Sequence, residues 1–220
     1  GTLGFSWTHN DPYLRGSLIA YPFDWFEASF QYTDINNALY SNSSRFSGSQ
    51  SLKDKGFDVK FRLAQESAYF PQIALGVRDI GGTSLFGSEY LVASKKFNNL
   101  DFTFGVGWGV LSNNSFKNPV GYLKESYYKR IERDLEGTRG GDFNLNMLFS
   151  GDMGVFGGVE IFLPNTKGLR LKLELDATNY KDEGRQPINQ ESRFNFGFVK
   201  PISKNFVTKL SYAVSYTHLR

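Results

Sequence analysis

Apolar and polar side chains alternate with a period of two along most of this chain. In residues 169–177 four leucines alternate with charged residues, and in 194–198 three phenylalanines alternate with Asn and Gly. Successive side chains of a β-strand point to opposite faces, so this pattern predicts strands with one apolar and one polar face. It predicts eleven strands, near 2–8, 14–21, 26–32, 57–63, 72–78, 88–96, 100–110, 154–162, 169–177, 194–198 and 206–216.

The connections between these strands alternate in length. On one side they are short, at 22–24, 66–71, 97–99, 163–168 and 201–205. On the other side most are longer, at 34–55, 79–87, 111–152 and 180–191, and only 9–13 is short. Short turns at one end and long loops at the other are typical of an up-and-down antiparallel barrel whose two rims lie in different environments.

Aromatic residues crowd the end with the short turns. The chain has 21 Phe, 12 Tyr and 3 Trp, and four of its 7 prolines (Pro22, Pro71, Pro164 and Pro201) also lie in these turns. Rings with an apolar side and a wet edge suit a membrane interface, so we expect an aromatic girdle here. The aromatic residues at this rim are Tyr21, Phe23, Trp25, Tyr69, Phe70, Phe97, Phe162 and Phe206.

The lengths of the predicted strands favour a membrane barrel over a soluble sheet. Several runs reach the 9–11 residues or so that a tilted membrane strand needs, whereas globular strands centre near 5–6. No run of about 18 apolar residues occurs, so the sequence predicts no transmembrane helix. The predicted fold is therefore all-β, an antiparallel up-and-down transmembrane β-barrel with 11 or 12 strands, with a soluble β-sandwich as the alternative.

One segment departs from the strand pattern. In residues 120–136 Leu123, Tyr127, Ile131 and Leu135 recur every four residues, after Pro119 and before a glycine. This spacing predicts a short amphipathic helix within the longest loop, which we place on the extracellular side. It is either a cap over the mouth of the barrel or a plug that contacts substrate.

Charged residues on the predicted strands fall on the polar sides. Glu27, Asp58, Glu160, Glu174 and Asp176 balance Lys60, Arg62, Arg78, Arg170 and Lys172. An Arg or Lys facing lipid costs about 2–4 kcal/mol at the midplane, so these faces are predicted to line the lumen. They either form salt-bridge ladders or contact a polysaccharide. The candidate lumen-facing residues are Lys60, Arg62, Arg78, Glu89, Glu160, Lys172, Glu174 and Asp176.

Three glycines on one predicted strand need a separate explanation. Gly105, Gly107 and Gly109 alternate with apolar residues, and glycine weakens a strand. They mark either a tight bend of the barrel or space for a bulky group, such as a ligand or a plug.

Little in the chain suggests catalysis or a cofactor. Cysteine is absent, which excludes a disulfide scaffold, a thiol nucleophile and a Cys-ligated zinc site. His9 is interpreted as part of a solvated turn, and we expect neither a metal nor a cofactor. Glu174 and Asp176 would lie about 7 Å apart on one strand, a weak basis for a glycosidase. The net charge of +3 argues against a nucleic-acid-binding surface.

Several blocks, in order, resemble one known family. They are Lys53–Leu63, Gln72–Thr83, Ser88–Lys95, Phe156–Glu160 and Leu171–Asp176, within a similarity over about 5–215. The chain resembles the YjbH/GfcD-type family of Gram-negative exopolysaccharide and group-4-capsule proteins. This resemblance implies an outer-membrane β-barrel that acts with a polysaccharide secretion system. It says nothing about catalytic residues, because no active site can be carried over from the family.

The predicted function is a non-enzymatic conduit or structural partner in exopolysaccharide or capsule export. A general porin-like barrel is the alternative, and a glycan- or lipid-modifying outer-membrane enzyme is the third. Expected partners are outer-membrane lipid, polysaccharide and periplasmic secretion proteins, but no nucleic acid. We expect residues 1–216 to be the N-terminal barrel region of a longer, outer-membrane protein whose signal peptide is missing here. Residues 217–220 are interpreted as a non-native tail.

Overall fold

Eleven strands form a single antiparallel sheet in the computed structural model, which describes residues 1–113, 116–130, 145–180, 190 and 192–213. Each strand pairs with the next in chain order. The strands are β1 (Thr2–Asn10), β2 (Tyr13–Phe23), β3 (Phe26–Leu39), β4 (Ser51–Ala64), β5 (Gln72–Arg78), β6 (Ser88–Phe97), β7 (Leu100–Gly107), β8 (Gly154–Phe162), β9 (Arg170–Leu175), β10 (Phe194–Pro201) and β11 (Val207–Ala213).

The helices are short and lie between the strands. The described chain has one α-helix, α1 (Ser44–Ser47), and four 3-10 helices at Gly109–Leu111, Pro119–Tyr122, Glu125–Tyr128 and Leu145–Met147. None of the described helices has the length and apolar character needed to cross a membrane.

The strand count, the up-and-down order and the alternation of connections are confirmed, but several boundaries were wrong. β3 and β4 extend far into the predicted loop 34–55, because their polar ends continue the ladder and Asp34 pairs with Lys53 across it. β7 ends at Gly107 and not at 110. Gly109 has a φ of 68° and begins a 3-10 helix there.

The helix predicted for 120–136 was also wrong where the structure describes it. Two separate 3-10 helices replace it, and Lys124 and Lys129 beside them have extended backbone. Asn118 starts the first of these helices by accepting a hydrogen bond from the Val120 N–H. Residues 131–136, like the tail 217–220, lie outside the described residues.

The sheet is open. Among the described residues, β1 pairs only with β2 and β11 only with β10, so each has an outer edge without a strand partner. The registers nevertheless run without interruption from one edge to the other and define two continuous faces.

The apolar face carries large hydrophobic side chains that no other layer of the described chain covers. Phe5 is 72% exposed, Leu18 47%, Phe104 59% and Phe196 54%. The registers place Phe5, Leu18, Phe30 and Phe57 in one row across four strands. The exposed members of this face are Leu3, Phe5, Trp7, Leu18, Phe57, Leu91, Phe102, Phe104, Leu171, Leu173, Phe194, Phe196, Leu210 and Tyr212.

Charged residues reach the apolar face only where the described strands begin or end. Asp34, Lys53, Lys55 and Glu89 lie at the end of the sheet with the long loops. Lys95 and Lys200 lie at the end with the short turns. An uncharged apolar band therefore runs across the sheet between these two borders.

The polar face is the opposite side of the same strands, with Ser17, Lys60, Gly76, Tyr90 and Glu160 among its members. Most of its side chains are half-buried. The buried apolar core lies at the long-loop end of this face, where Tyr13, Ile35, Ala38 and Phe86 pack together. The short-turn end carries the predicted aromatic rim, including exposed Phe23, Trp25, Tyr69 and Phe206.

Candidate functional site

The polar face brings together most of the residues that the sequence selected. Lys60, Arg62 and Arg78 lie on β4 and β5, and Glu160, Lys172 and Glu174 lie on β8 and β9. They form two separate groups, one on each half of the sheet, rather than one continuous ladder.

The β8–β9 group neutralises itself. The Glu160 carboxylate lies 2.8 Å from an Arg170 nitrogen and 3.4 Å from Lys172 Nζ. Glu160 faces Lys172 directly in the register, as expected for a cross-strand ion pair. On the other side it faces Asp101, so the two cations also offset this like-charged neighbour.

The β3–β5 group contains two cations that have no ion-pair partner within the described chain. Lys60 Nζ lies 3.6 Å from a Glu27 carboxylate oxygen. The Asp58 carboxylate accepts hydrogen bonds from the Asp79 N–H and the Ser29 hydroxyl. Within the described chain, Arg62 and Arg78 make no ion pair with any carboxylate.

Glu174 and Asp176 lie in different surroundings, although only one residue separates them. β9 ends at Leu175, and Asp176 is buried just beyond it. Its carboxylate accepts hydrogen bonds of 2.8 Å from the Thr178 N–H and from the Tyr180 hydroxyl. Asp176 therefore holds the segment after β9 in place, whereas Glu174 is exposed on the polar face.

Glu89 lies on the wrong side for the lumen-facing role that the sequence predicted. It is opposite Val77 in the register and shares the face of Leu91, yet it is only 1% exposed. Arg130 covers it, with two guanidinium–carboxylate contacts of 2.8 and 2.9 Å. The Phe149 N–H donates a third hydrogen bond to the same carboxylate. A buried charge needs such partners, and here a loop supplies them.

Loops at the long-loop end interlock into a structure that we call the cap, comprising 79–87, 108–113, 116–130, 145–153 and 176–180. Trp108 packs edge-on against Phe149 at 5.2 Å. The side-chain amide of buried Asn118 donates to the carbonyls of Tyr127 and Phe149. The Asn179 N–H donates to the carbonyl of Val110. The cap thus joins segments that are far apart in sequence.

The loop 79–87 of the cap folds onto the polar face. The Thr83 hydroxyl donates to buried Asp54, and the Ile80 N–H donates to the Phe57 carbonyl. Phe86 packs edge-on against Tyr13 of β2 at 5.8 Å. A side chain at Gly82 would overlap the backbone of β4, so only glycine allows this close approach. The loop therefore covers part of the polar face at this end.

Two glycines on the polar face have aromatic rings lying over them. The Tyr90 ring occupies the place of a β-carbon on Gly76, and the Phe156 ring does the same for Gly105. The two rings meet edge to face, with centroids 6.2 Å apart. Of the two interpretations given for Gly105, Gly107 and Gly109, a bulky group is found at Gly105, but this group is the Phe156 ring and not a ligand or a plug. Tyr90 is two residues from Ser88 and from Val92 along β6, so the three side chains share one face. This spacing could have located the Tyr90 ring on the polar face from the sequence.

The short-turn end has an ion pair beyond the strands. Glu66 lies 2.8 Å from Lys95 Nζ and also accepts from the Lys96 N–H. The Lys95 hydrogen bond, followed by that from Lys96, holds the pKa of the Glu66 carboxyl below its ordinary value.

His9 is the exposed penultimate residue of β1 and not part of a turn, and its ring lies 3.4 Å from Asp11 in the turn that follows. In the described ranges no three His, Asp or Glu residues are grouped so that they could hold a metal ion.

Comparison with known proteins gives a family. The family named YjbH, described as "Exopolysaccharide biosynthesis protein YbjH", matches residues 1–218. A curated relative from Escherichia coli strain K12, named "Uncharacterized lipoprotein YjbH", is 40% identical over 213 residues. The match covers 96% of this chain but only 30% of that relative. No solved structure matches the chain. The chain therefore belongs to the YjbH exopolysaccharide biosynthesis family.

Proposed function

We propose that this chain forms part of an outer-membrane β-barrel that acts in exopolysaccharide export, with its apolar face against lipid and its polar face lining the interior. The observation that carries the proposal is the inverted distribution of side chains. Large exposed Phe, Leu and Trp residues share one face, and most of the charged residues of the strands share the other. A water-soluble sheet would bury the first face, whereas a membrane barrel exposes it to lipid.

The dimensions of the sheet support the same proposal. β1, β2, β3, β4, β6 and β8 contain between 9 and 14 residues. A tilted strand needs about 9–11 residues to cross the hydrocarbon. The charged borders at the two ends of the apolar face are where headgroups would lie, and the aromatic short-turn rim suits one interface.

Closure of the sheet would give its two outer strand edges hydrogen-bond partners. Strand edges facing lipid would leave backbone N–H and C=O groups without partners, which is costly in hydrocarbon. The chain spans about 30% of the length of the curated relative that it matches. We propose that further strands of such a longer protein pair with β1 and β11.

The role within polysaccharide export is proposed to be that of a conduit or structural partner, without catalysis. The description of the family supports a place in exopolysaccharide biosynthesis. The name of the E. coli relative includes "lipoprotein", which supports membrane association. Periplasmic secretion proteins and the polysaccharide are the proposed partners. The loop 79–87, which fills part of the interior, favours a gated conduit over an open general pore.

The experiment that tests this proposal is membrane fractionation followed by a flux assay. We expect the whole protein to sediment with outer membranes, to resist alkaline extraction and to need detergent for solubility. In proteoliposomes, we expect it to pass no small neutral sugar while the cap is intact. A monodisperse protein in the aqueous fraction without detergent would refute the barrel, and free sugar permeation would support a general porin instead.

A further inference from the structure

A candidate ligand site lies on the polar face around Tyr90. In the register, Lys60 of β4, Gly76 of β5 and Tyr90 of β6 form one row. Because Gly76 has no side chain, the Tyr90 ring leans across β5 toward Lys60. Phe156 meets this ring edge-on from the other side. The result is a pair of aromatic rings in contact with each other on the polar face.

Two cations border this row. Arg78 lies two residues beyond Gly76 on β5, and Arg62 lies opposite Ala74, two residues before Gly76. Two residues along a strand span about 7 Å, so one guanidinium-bearing residue lies on each side of the row. Both side chains are half-buried, and within the described chain neither has a carboxylate partner.

The nearby carboxylates are already engaged. Glu27 pairs with Lys60, and Asp58 accepts hydrogen bonds from Ser29 and from the backbone of Asp79. Arg62 and Arg78 are therefore left without a carboxylate contact within the described chain, in contrast to Arg170 and Lys172 of the β8–β9 group, which both contact Glu160. Guanidinium groups bind carboxylates with two parallel hydrogen bonds, which favours a planar carboxylate as the missing partner.

We propose that this region binds a sugar that carries a carboxylate, the uronic-acid unit of an acidic polysaccharide. The rings of Tyr90 and Phe156 offer apolar surface to the C–H side of the sugar, and the Tyr90 hydroxyl, which has no hydrogen-bond partner in the described chain, offers a polar handle. Arg62 and Arg78 bind the carboxylate and hydroxyl oxygens. This inference rests on the proposed function, because it names the substrate class of the same interior face.

Calorimetric titration of the whole protein in detergent micelles tests the site. The probes are an oligogalacturonate and a neutral malto-oligosaccharide of equal length. We expect the acidic oligomer to bind at least about tenfold more tightly, and Arg62→Gln and Arg78→Gln each to lose about tenfold or more of that affinity. Lys172→Gln, in the self-neutralised group, is the matched control and should bind like the parent protein.

Two further variants keep the test informative if an Arg→Gln protein misfolds. Arg78→Lys keeps the charge but loses the two-pronged geometry, so it should bind more weakly than the parent. Tyr90→Leu should weaken both oligosaccharides. Equal binding of the acidic and neutral oligomers, or equal losses in Arg78→Gln and Lys172→Gln, would overturn the site.

Failure of this site is distinguishable from failure of the proposed function. A protein that fractionates as an outer-membrane barrel but binds no oligogalacturonate contradicts only the uronic-acid site. A protein that binds it with the expected variant pattern but stays soluble without detergent supports the site and contradicts the barrel.

Discussion

The two faces of this sheet place neighbouring residues of one strand in opposite surroundings. On β2, Leu18 is 47% exposed among Phe5 and Phe30, whereas Ser17 is half-buried between Ser6 and Gln31. In a soluble protein the apolar side would be the covered one. Here the distribution is reversed: Leu18 is exposed on the apolar face, whereas Ser17 beside it is half-buried on the polar face.

The largest expected loss of stability comes from removing Glu89, a buried carboxylate on the apolar face. Glu89→Ala leaves Arg130 without its partner and removes an acceptor from the Phe149 N–H. Breaking a buried ion pair costs about 3–5 kcal/mol, so we expect this loss in the free energy of unfolding. Urea unfolding of the protein in vesicles measures it.

The matched control is Glu27→Ala on the polar face. Glu27 forms a longer pair, at 3.6 Å, and both partners are partly exposed. Such pairs contribute up to about 1 kcal/mol. Equal costs for Glu89→Ala and Glu27→Ala would show that the cap does not depend on Glu89.

The next largest loss of stability is expected when a charge is placed on the apolar face. Leu18→Arg puts a guanidinium near the middle of the apolar band, at a cost of about 2–4 kcal/mol if that band faces lipid. Ser17→Arg, one residue away on the polar face, should cost far less. Folding efficiency into vesicles, followed by urea titration, measures both. Equal tolerance of the two arginines would contradict lipid contact at Leu18.

A smaller effect is expected where the cap meets the polar face. A β-carbon on Gly82 would overlap the Lys55 carbonyl of β4, so Gly82→Ala forces the loop 79–87 away. Overpacking of this kind costs about 1–3 kcal/mol. Gly4→Ala on β1, whose β-carbon would meet nothing closer than 3.9 Å, is the control. The two thermal unfolding midpoints should separate, and unchanged stability in both would mean that the loop does not press on β4.

The smallest effect is expected at the short-turn border of the two faces. The pKa of Glu66 is lowered from 4.5 in the folded state by the hydrogen bonds from Lys95 and Lys96. Its contribution to stability is therefore present above pH 4.5 and is lost as the pH falls through the lowered folded value. Glu66→Gln should flatten this acid-side loss slightly, as seen in unfolding at stepwise lower pH. An identical acid profile in the variant would contradict the interpretation.

Local periodicity made the sheet predictable from sequence. The alternation in 169–177 and 194–198 located strands because side-chain direction depends only on the position within the strand. The same alternation predicts the face of Glu89 correctly. Glu89 is two residues from Leu91 and four from Ala93, so it shares their face. Grouping Glu89 with the polar residues overlooked that signal.

The cap was not predictable, because its contacts join residues that are distant in sequence. Arg130 and Glu89 are 41 residues apart in the sequence, so no local pattern could predict their ion pair. The four-residue spacing of Leu123 and Tyr127 suggested a continuous helix, but loop packing around Asn118 divides that segment into two short turns. The rings over Gly76 and Gly105 likewise depend on cross-strand register, which the sequence alone does not fix.

The central claim, lipid contact of the apolar face, is tested most directly by a spin-label scan of β7. The chain has no Cys, so single cysteines at 100–107 can each carry a nitroxide in the vesicle-embedded protein. The account predicts high collision rates with lipid-dissolved oxygen at 100, 102, 104 and 106, and low rates at the residues between them. A flat oxygen profile, or even-numbered positions that collide mainly with a water-soluble nickel chelate, would contradict it.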